Sequence, residues 1–152
     1  MATTNGVYPC YENQFQFNIG DPVSQTGGTP SWVGIADCET FDCTFDNGVE
    51  EWHPFEHEGW VRRLQTAKSI TLSVSAKRFI GDAGNDAIAA LAWKNGREVE
   101  GDFQWTMPNG DTVVFSQAVI SVTNAGSGAS TDVAPLEFEV QSNGAPTYTP
   151  AA

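Results

Sequence analysis

Period-two alternation constrains this chain more than any other feature. Ile70, Leu72, Val74 and Ala76 alternate with polar residues, and Leu136, Phe138 and Val140 alternate with Glu137, Glu139 and Gln141. Val99, Phe103, Trp105 and Met107 likewise stand against Glu98, Glu100, Asp102, Gln104 and Thr106. Such stretches are strands of an antiparallel sheet with one buried and one wet face. In the stretch after the Pro108-Asn109-Gly110 turn, Val113 and Phe115 share one parity, while Ala118, Ile120 and Val122 share the other. That switch predicts a bulge at Ser116-Gln117.

Earlier in the chain, Phe15, Phe17 and Ile19 mark a short strand closed by Gly20-Asp21-Pro22. Trp32 to Phe45 reads as one long strand, with a bend or bulge near Asp37. Odd spacing then puts Cys38 and Cys43 on opposite faces, so no bridge between them is expected. One helix is expected, over 84–94, with Asp82 or Asn85 as its cap and Asn95-Gly96 closing it. Ala87, Ile88, Leu91 and Ala92 give it a narrow apolar stripe, so it must lean on a sheet. Trp93 and Trp105 are expected in the core. The sum is mainly β with one flanking helix, a β-sandwich or half-open barrel.

The chain divides into an N-terminal arm and first strand (1–31), a β domain (32–143) and a loop-like C-terminal tail (144–152). At 152 residues, one core is large enough to be stable. The start MATTNG has neither the basic nor the apolar region of a signal peptide. With three cysteines, an odd number, it reads as a chain made in a reducing cytoplasm.

Net charge is −12, which opposes a grip on nucleic-acid phosphates or on an anionic membrane. All seven basic residues lie between Arg62 and Arg97, and only acids flank that block. Such segregation is neutralised either inside one molecule or between a basic face of one copy and an acidic face of the next.

The block begins in the most unusual stretch, a contact loop over 46–67. It carries Glu50, Glu51, Glu56 and Glu58, then Arg62 and Arg63, with Trp52, Phe55 and Trp60 among them and Pro54 excluding a helix. Unstructured loops of that length are uncommon in compact domains unless they are functional or disordered, and the tryptophans argue against disorder. Trp52 and Trp60 are either sugar platforms or anchors of a protein contact, and the surrounding charge favours anchors. The spacing of His53 and His57 suggests metal, but Pro54 spoils the helix that would aim both. The cysteines lack zinc spacing, and a glycosidase pair such as Glu51 and Glu56 is matched by any acidic loop. No nucleotide or hydrolase fingerprint is present, so no cofactor and no catalysis are expected.

Four segments, EEWHPFEHEGWVRRLQTAKSITLSVSAKR, GDAGNDAIAALAWKNG, FQWTMPNGDTVVFSQAVISVTN and STDVAPLEFEVQSNG, occur in an order and spacing similar to those of the major tail tube proteins of long-tailed, siphovirus-like bacteriophages. The resemblance spans roughly Trp32 to Asn143. It implies a structural virion protein assembled in the host cytoplasm. Six copies would close into a ring, and stacked rings would form a hollow tube through which DNA is ejected. Its partners would be other copies, tail-tip or baseplate and terminator proteins, and a tape measure protein in the lumen. On this reading Glu50, Glu51, Trp52, Phe55, Glu56, Glu58, Trp60, Arg62 and Arg63 make subunit or ring contacts. Glu98, Glu100 and Asp102 either line the lumen or face outside solvent. A carbohydrate-binding sandwich using Trp52 and Trp60 is the alternative.

Overall fold

The computed structural model describes residues 6–151, so the first five residues of the N-terminal arm and Ala152 of the tail lie outside the described residues. The strands are β1 (Gln14–Asn18), β2 (Trp32–Gly34), β3 (Cys38–Trp52), β4 (Arg62–Lys77), β5 (Glu100–Thr106), β6 (Thr112–Ala125), β7 (Pro135–Gln141) and β8 (Thr147–Thr149). One α-helix, α1 (Ala83–Ala90), follows β4. All pairings are antiparallel, in the order β2-β1-β5-β6-β7-β4-β3, with β8 beside the first part of β6.

The sheet curls onto itself. Strands β1 and β3 stand near opposite ends of that order, yet Phe15 of β1 meets Phe41 of β3 with ring centroids 4.9 Å apart. Phe41 also touches Trp105 at 5.5 Å, and Phe103 meets Phe138 at 6.1 Å. These edge-on contacts close a half-barrel around Leu72, Val74, Phe115, Ile120, Leu136 and Val140, all buried. The alternation read from sequence thus marks the buried face of β4, β5 and β7.

The irregularities have local causes. Gln117 adopts a left-handed φ of 54°, and the β5–β6 register shifts there, which is the bulge the parity switch predicted. Asp37 is also left-handed, at 58°, and Glu39 is bulged out of the β3–β4 ladder. The long strand expected over Trp32–Phe45 is therefore two strands, β2 and β3, separated by this corner. The bulge also cancels the odd spacing of Cys38 and Cys43. Both pack against the core, opposite Ala76 and Leu72, and both are free thiols.

Helix α1 is shorter than the expected 84–94, because a 3-10 turn over Leu91–Trp93 ends it. Asp82 is its cap: the carboxylate accepts from the Asn85 and Ala36 amides at 3.0 and 3.1 Å. Gly84 sits so close to β2 that a Cβ there would lie 2.2 Å from the Gly34 carbonyl oxygen. Ile88 enters the core, whereas Trp93, expected there, is 88 % exposed because the 3-10 turn rotates it off the apolar stripe. The tail, expected as a loop, supplies β8, which fills the edge of β6 that β7 does not reach.

Candidate assembly interface

The expected contact loop over 46–67 is not a loop. Strands β3 and β4 pair continuously from Cys38–Ala76 out to Trp52–Arg62, so only 53–61 remain to turn the chain. The sequence hid this because the outer ribbon has no buried face, and hence no apolar alternation to reveal it. Pro54 opens the turn, a 3-10 turn follows over Phe55–His57, and Glu58 and Gly59 reverse direction with φ of 49° and 92°.

Strand β7 covers only Thr71–Lys77 of β4, so the ribbon made of Phe45–Trp52 and Arg62–Ile70 has no third strand. A two-stranded ribbon alone is marginal in water. Its cross-strand contacts are mainly polar. Gln65 donates to Asn47 at 3.3 Å, and Arg63 is hydrogen-bonded to Glu51, holding the Glu51 carboxyl below its ordinary range. The Lys68 ammonium lies 5.2 Å from the Phe45 ring centre, and the Arg62 guanidinium lies 5.6 Å from that of Trp52.

Those contacts place Phe45, Asn47, Glu51, Arg63, Gln65 and Lys68 on one face of the ribbon. Glu50, Trp52, Arg62 and Leu64 pair on the other. Apolar surface is left open on both faces and at the tip: Phe45 and Leu64 are more than half exposed, Trp60 is 78 % exposed and Phe55 fully so. Glu50, Glu56 and Glu58 are also exposed there. All nine expected contact residues therefore lie on this one projecting hairpin. Trp52 and Trp60 share no ring contact among the described residues, and the Arg62 guanidinium covers one face of Trp52, where a sugar would stack.

The expected stripe of Glu98, Glu100 and Asp102 does not exist as a surface. Asp102 is 3 % exposed, enclosed by the chain after β1: its carboxylate accepts from the Asn18 side chain and from the Val23 and Gln117 amides, at 2.8–2.9 Å. Glu98 is on a 3-10 turn over Gly96–Val99, and Glu100 is half-buried beside Asn143. Asp102 is thus a structural anchor. The β6 bulge aims the Gln117 amide at it, and the polar loop 19–31 closes over it, an arrangement that alternation cannot signal.

Charge segregation is partly neutralised within the chain, by Lys77 with Glu39 at 3.1 Å, Arg78 with Asp86 at 2.7 Å, and Arg63 with Glu51. Arg78 also donates to Asn85, whose fully buried amide further bonds the Phe79 amide and the Ala36 and Lys77 carbonyls. Sequence reasoning saw Asn85 only as a cap candidate; its role is to tie α1 to the corner before β3 and the end of β4.

A curled antiparallel half-barrel with one flanking helix and a projecting β3–β4 hairpin is the tail-tube fold. No protein-family model matches the sequence, and no curated protein matches it. Among solved structures, a chain from the tail of an empty gene transfer agent particle, refined helically with C6 symmetry, superposes with a TM-score of 0.69 at 17% identity, over 94% of this chain and 99% of that one. A chain from the virion of the native gene transfer agent particle gives 0.65 at 15% identity, with the same coverage. A chain from the sheath-tube complex of an extracellular contractile injection system, in its extended state, gives 0.57 at 13% identity, over 94% and 91%. At these identities the likeness is one of fold.

Proposed function

We propose that this chain is a structural subunit of a phage-type tail tube: six copies close a ring, and rings stack into a conduit for DNA ejection. The observation that carries the reading is the two-stranded ribbon, which extends beyond the core with aromatic and aliphatic side chains open on both faces. A monomer gains nothing by exposing Phe45, Leu64, Phe55 and Trp60 together, whereas neighbouring copies that cover them gain the burial. The C6 symmetry of the gene transfer agent tail, whose chain shares this fold, supports six as the ring number. In this reading Glu50, Glu51, Trp52, Phe55, Glu56, Glu58, Trp60, Arg62 and Arg63 contact neighbouring copies. Tail-tip or baseplate, terminator and tape measure proteins are the further partners, and the assembled chain resides in a virion tail.

Negative-stain electron microscopy over a concentration series, beside light scattering, tests this. Rings or hollow tubes with six-fold end views are expected. Particles that remain monomeric at every concentration, including with tail-tip complexes added as initiators, would overturn it.

A further inference from the structure

Five asparagines in this chain precede a glycine: Asn5, Asn47, Asn95, Asn109 and Asn143. A glycine has no side chain to shield its backbone nitrogen, so that nitrogen can attack the amide of the asparagine before it. Attack needs a side chain free to swing over the next peptide and a glycine N–H with no acceptor. Asn5 lies outside the described residues, and the structure separates the other four.

Three of them are held. Asn109 accepts from the Asp111 amide at 3.0 Å and donates to the Asp111 carboxylate at 3.1 Å. The Gly110 amide meanwhile donates to the Met107 carbonyl at 2.9 Å. Asn143 donates to the Gln117 carbonyl at 3.1 Å and to Glu100 at 3.4 Å. Asn47 accepts from Gln65, and its backbone is paired opposite Lys68 in the β3–β4 ladder. Asn95 differs. It stands before the 3-10 turn over Gly96–Val99 yet makes no side-chain capping bond, although asparagine is among the best capping residues. Its backbone carbonyl accepts from the Glu98 amide at 3.4 Å, but among the described residues neither its side chain nor the Gly96 amide has a partner. Both residues are exposed, and Gly96 is left-handed at 66° with nothing within 4 Å of the place a Cβ would take.

We propose that Asn95-Gly96 is a deamidation site selected by the fold. The Gly96 nitrogen gives its proton to solvent base and bonds to the side-chain carbonyl carbon of Asn95. The side-chain carbon–nitrogen bond breaks, ammonia leaves, and a five-membered succinimide remains. Water adds to either ring carbonyl and opens it, giving aspartate or isoaspartate with no oxidant and no cofactor. Either product sets a new carboxylate between Lys94 and Arg97, two cations with no carboxylate partner among the described residues. The isoaspartate route also lengthens the backbone by one carbon at the turn that leads into β5. Trp93, 88 % exposed, is close by in the chain, so the change alters a surface patch rather than the core.

Incubation of the full, unassembled chain in mildly alkaline buffer tests this, beside a sample held unfolded in guanidinium chloride. Chymotryptic cleavage after Trp93 isolates the Asn95 peptide, and mass spectrometry follows every site. Unfolded, the asparagine–glycine pairs should react alike. Folded, Asn95 is expected to stay near its unfolded rate and to run about tenfold ahead of Asn47, Asn109 and Asn143. Each of those must first give up a hydrogen bond, and about 1.4 kcal/mol of opening cost is tenfold in rate. The Asn95 rate should rise with pH, because the Gly96 nitrogen must lose its proton, and Asn95→Gln should remove this conversion and leave the others unchanged. An Asn95 protected by folding as strongly as the other three, or overtaken by any of them, would overturn the proposal. The reaction is read on single chains, so its outcome is independent of whether tubes form.

Discussion

The side-chain amide of Asn18 donates to the carboxylate of Asp102 at 2.9 Å, joining the end of β1 to the middle of β5 in a buried site. The Val23 and Gln117 amides complete the shell, so one carboxylate fixes the loop after β1 and the β6 bulge together. Asp102→Ala would orphan these donors, and a loss of about 3 kcal/mol is expected for removing charge-assisted bonds and leaving buried N–H groups unmet. Urea unfolding reads it directly. An unchanged midpoint would show that the site is not the anchor the geometry describes.

Gly84 is the contact point between α1 and β2, with no space for a methyl beside the Gly34 carbonyl. Gly84→Ala should cost about 2 kcal/mol or more as the helix lifts from the strand. Ala83→Gly, one position away and exposed, serves as the control and should cost less than about 1 kcal/mol. Equal thermal shifts for the two would contradict the packing argument.

The hairpin separates folding from assembly. Arg62→Glu with Arg63→Glu loses one exposed ion pair and one exposed cation–π contact, both screened by solvent and neither part of the core. Trp60 is 78 % exposed, so Trp60→Ala loses little burial in the monomer. Both variants are expected to remain folded by circular dichroism yet to fail in tube growth under conditions where the natural chain assembles. Tubes of normal length from either would place the contact elsewhere.

Strand β8 is fastened by Asp111, whose carboxylate accepts from the Tyr148 hydroxyl at 2.5 Å and from the Ala151 amide at 2.8 Å. The Tyr148 bond, then the Ala151 amide, hold the Asp111 carboxyl below its usual 3.8. Because the folded value is the lower one, the stabilisation is present above the ordinary carboxylate range and is lost as pH falls through the depressed value. Amide exchange at Thr147–Thr149 should therefore stay slow at neutral pH and accelerate at acid pH. Tyr148→Phe should move that acceleration to higher pH. Exchange independent of pH in both forms, after correction for intrinsic rates, would refute the fastening.

Sequence pattern reached as far as period-two alternation reached. It located the buried faces of β4, β5 and β7, and parity alone found the bulge at Gln117. The Asp82 cap and the all-β architecture with one helix were also readable, because each depends on neighbours within a few residues. The nine residues expected to make contacts fall on one hairpin, in a stretch that the sequence reads as a loop. Strand pairing there is made by backbone bonds between β3 and β4, and those leave no mark in side-chain pattern when both faces are wet.

What the sequence could not decide was anything created by distant segments meeting. Bulges at Glu39 and Gln117 reset which side chains share a face, bringing Cys38 and Cys43 to one side. The loop after β1 converted Asp102 from an apparent surface charge into a buried anchor. Curling of the sheet placed Phe15 against Phe41 and left the acid- and hydroxyl-lined face of β3, β4, β7 and β6 uncovered. Local residue chemistry therefore determined which half-buried segments are strands, where the helix starts and where the chain bends, but not the wet ribbon or β8. Only tertiary structure decided which polar residues are buried and which sheet face stays wet, because burial depends on which segment, far away in sequence, comes to lie on top.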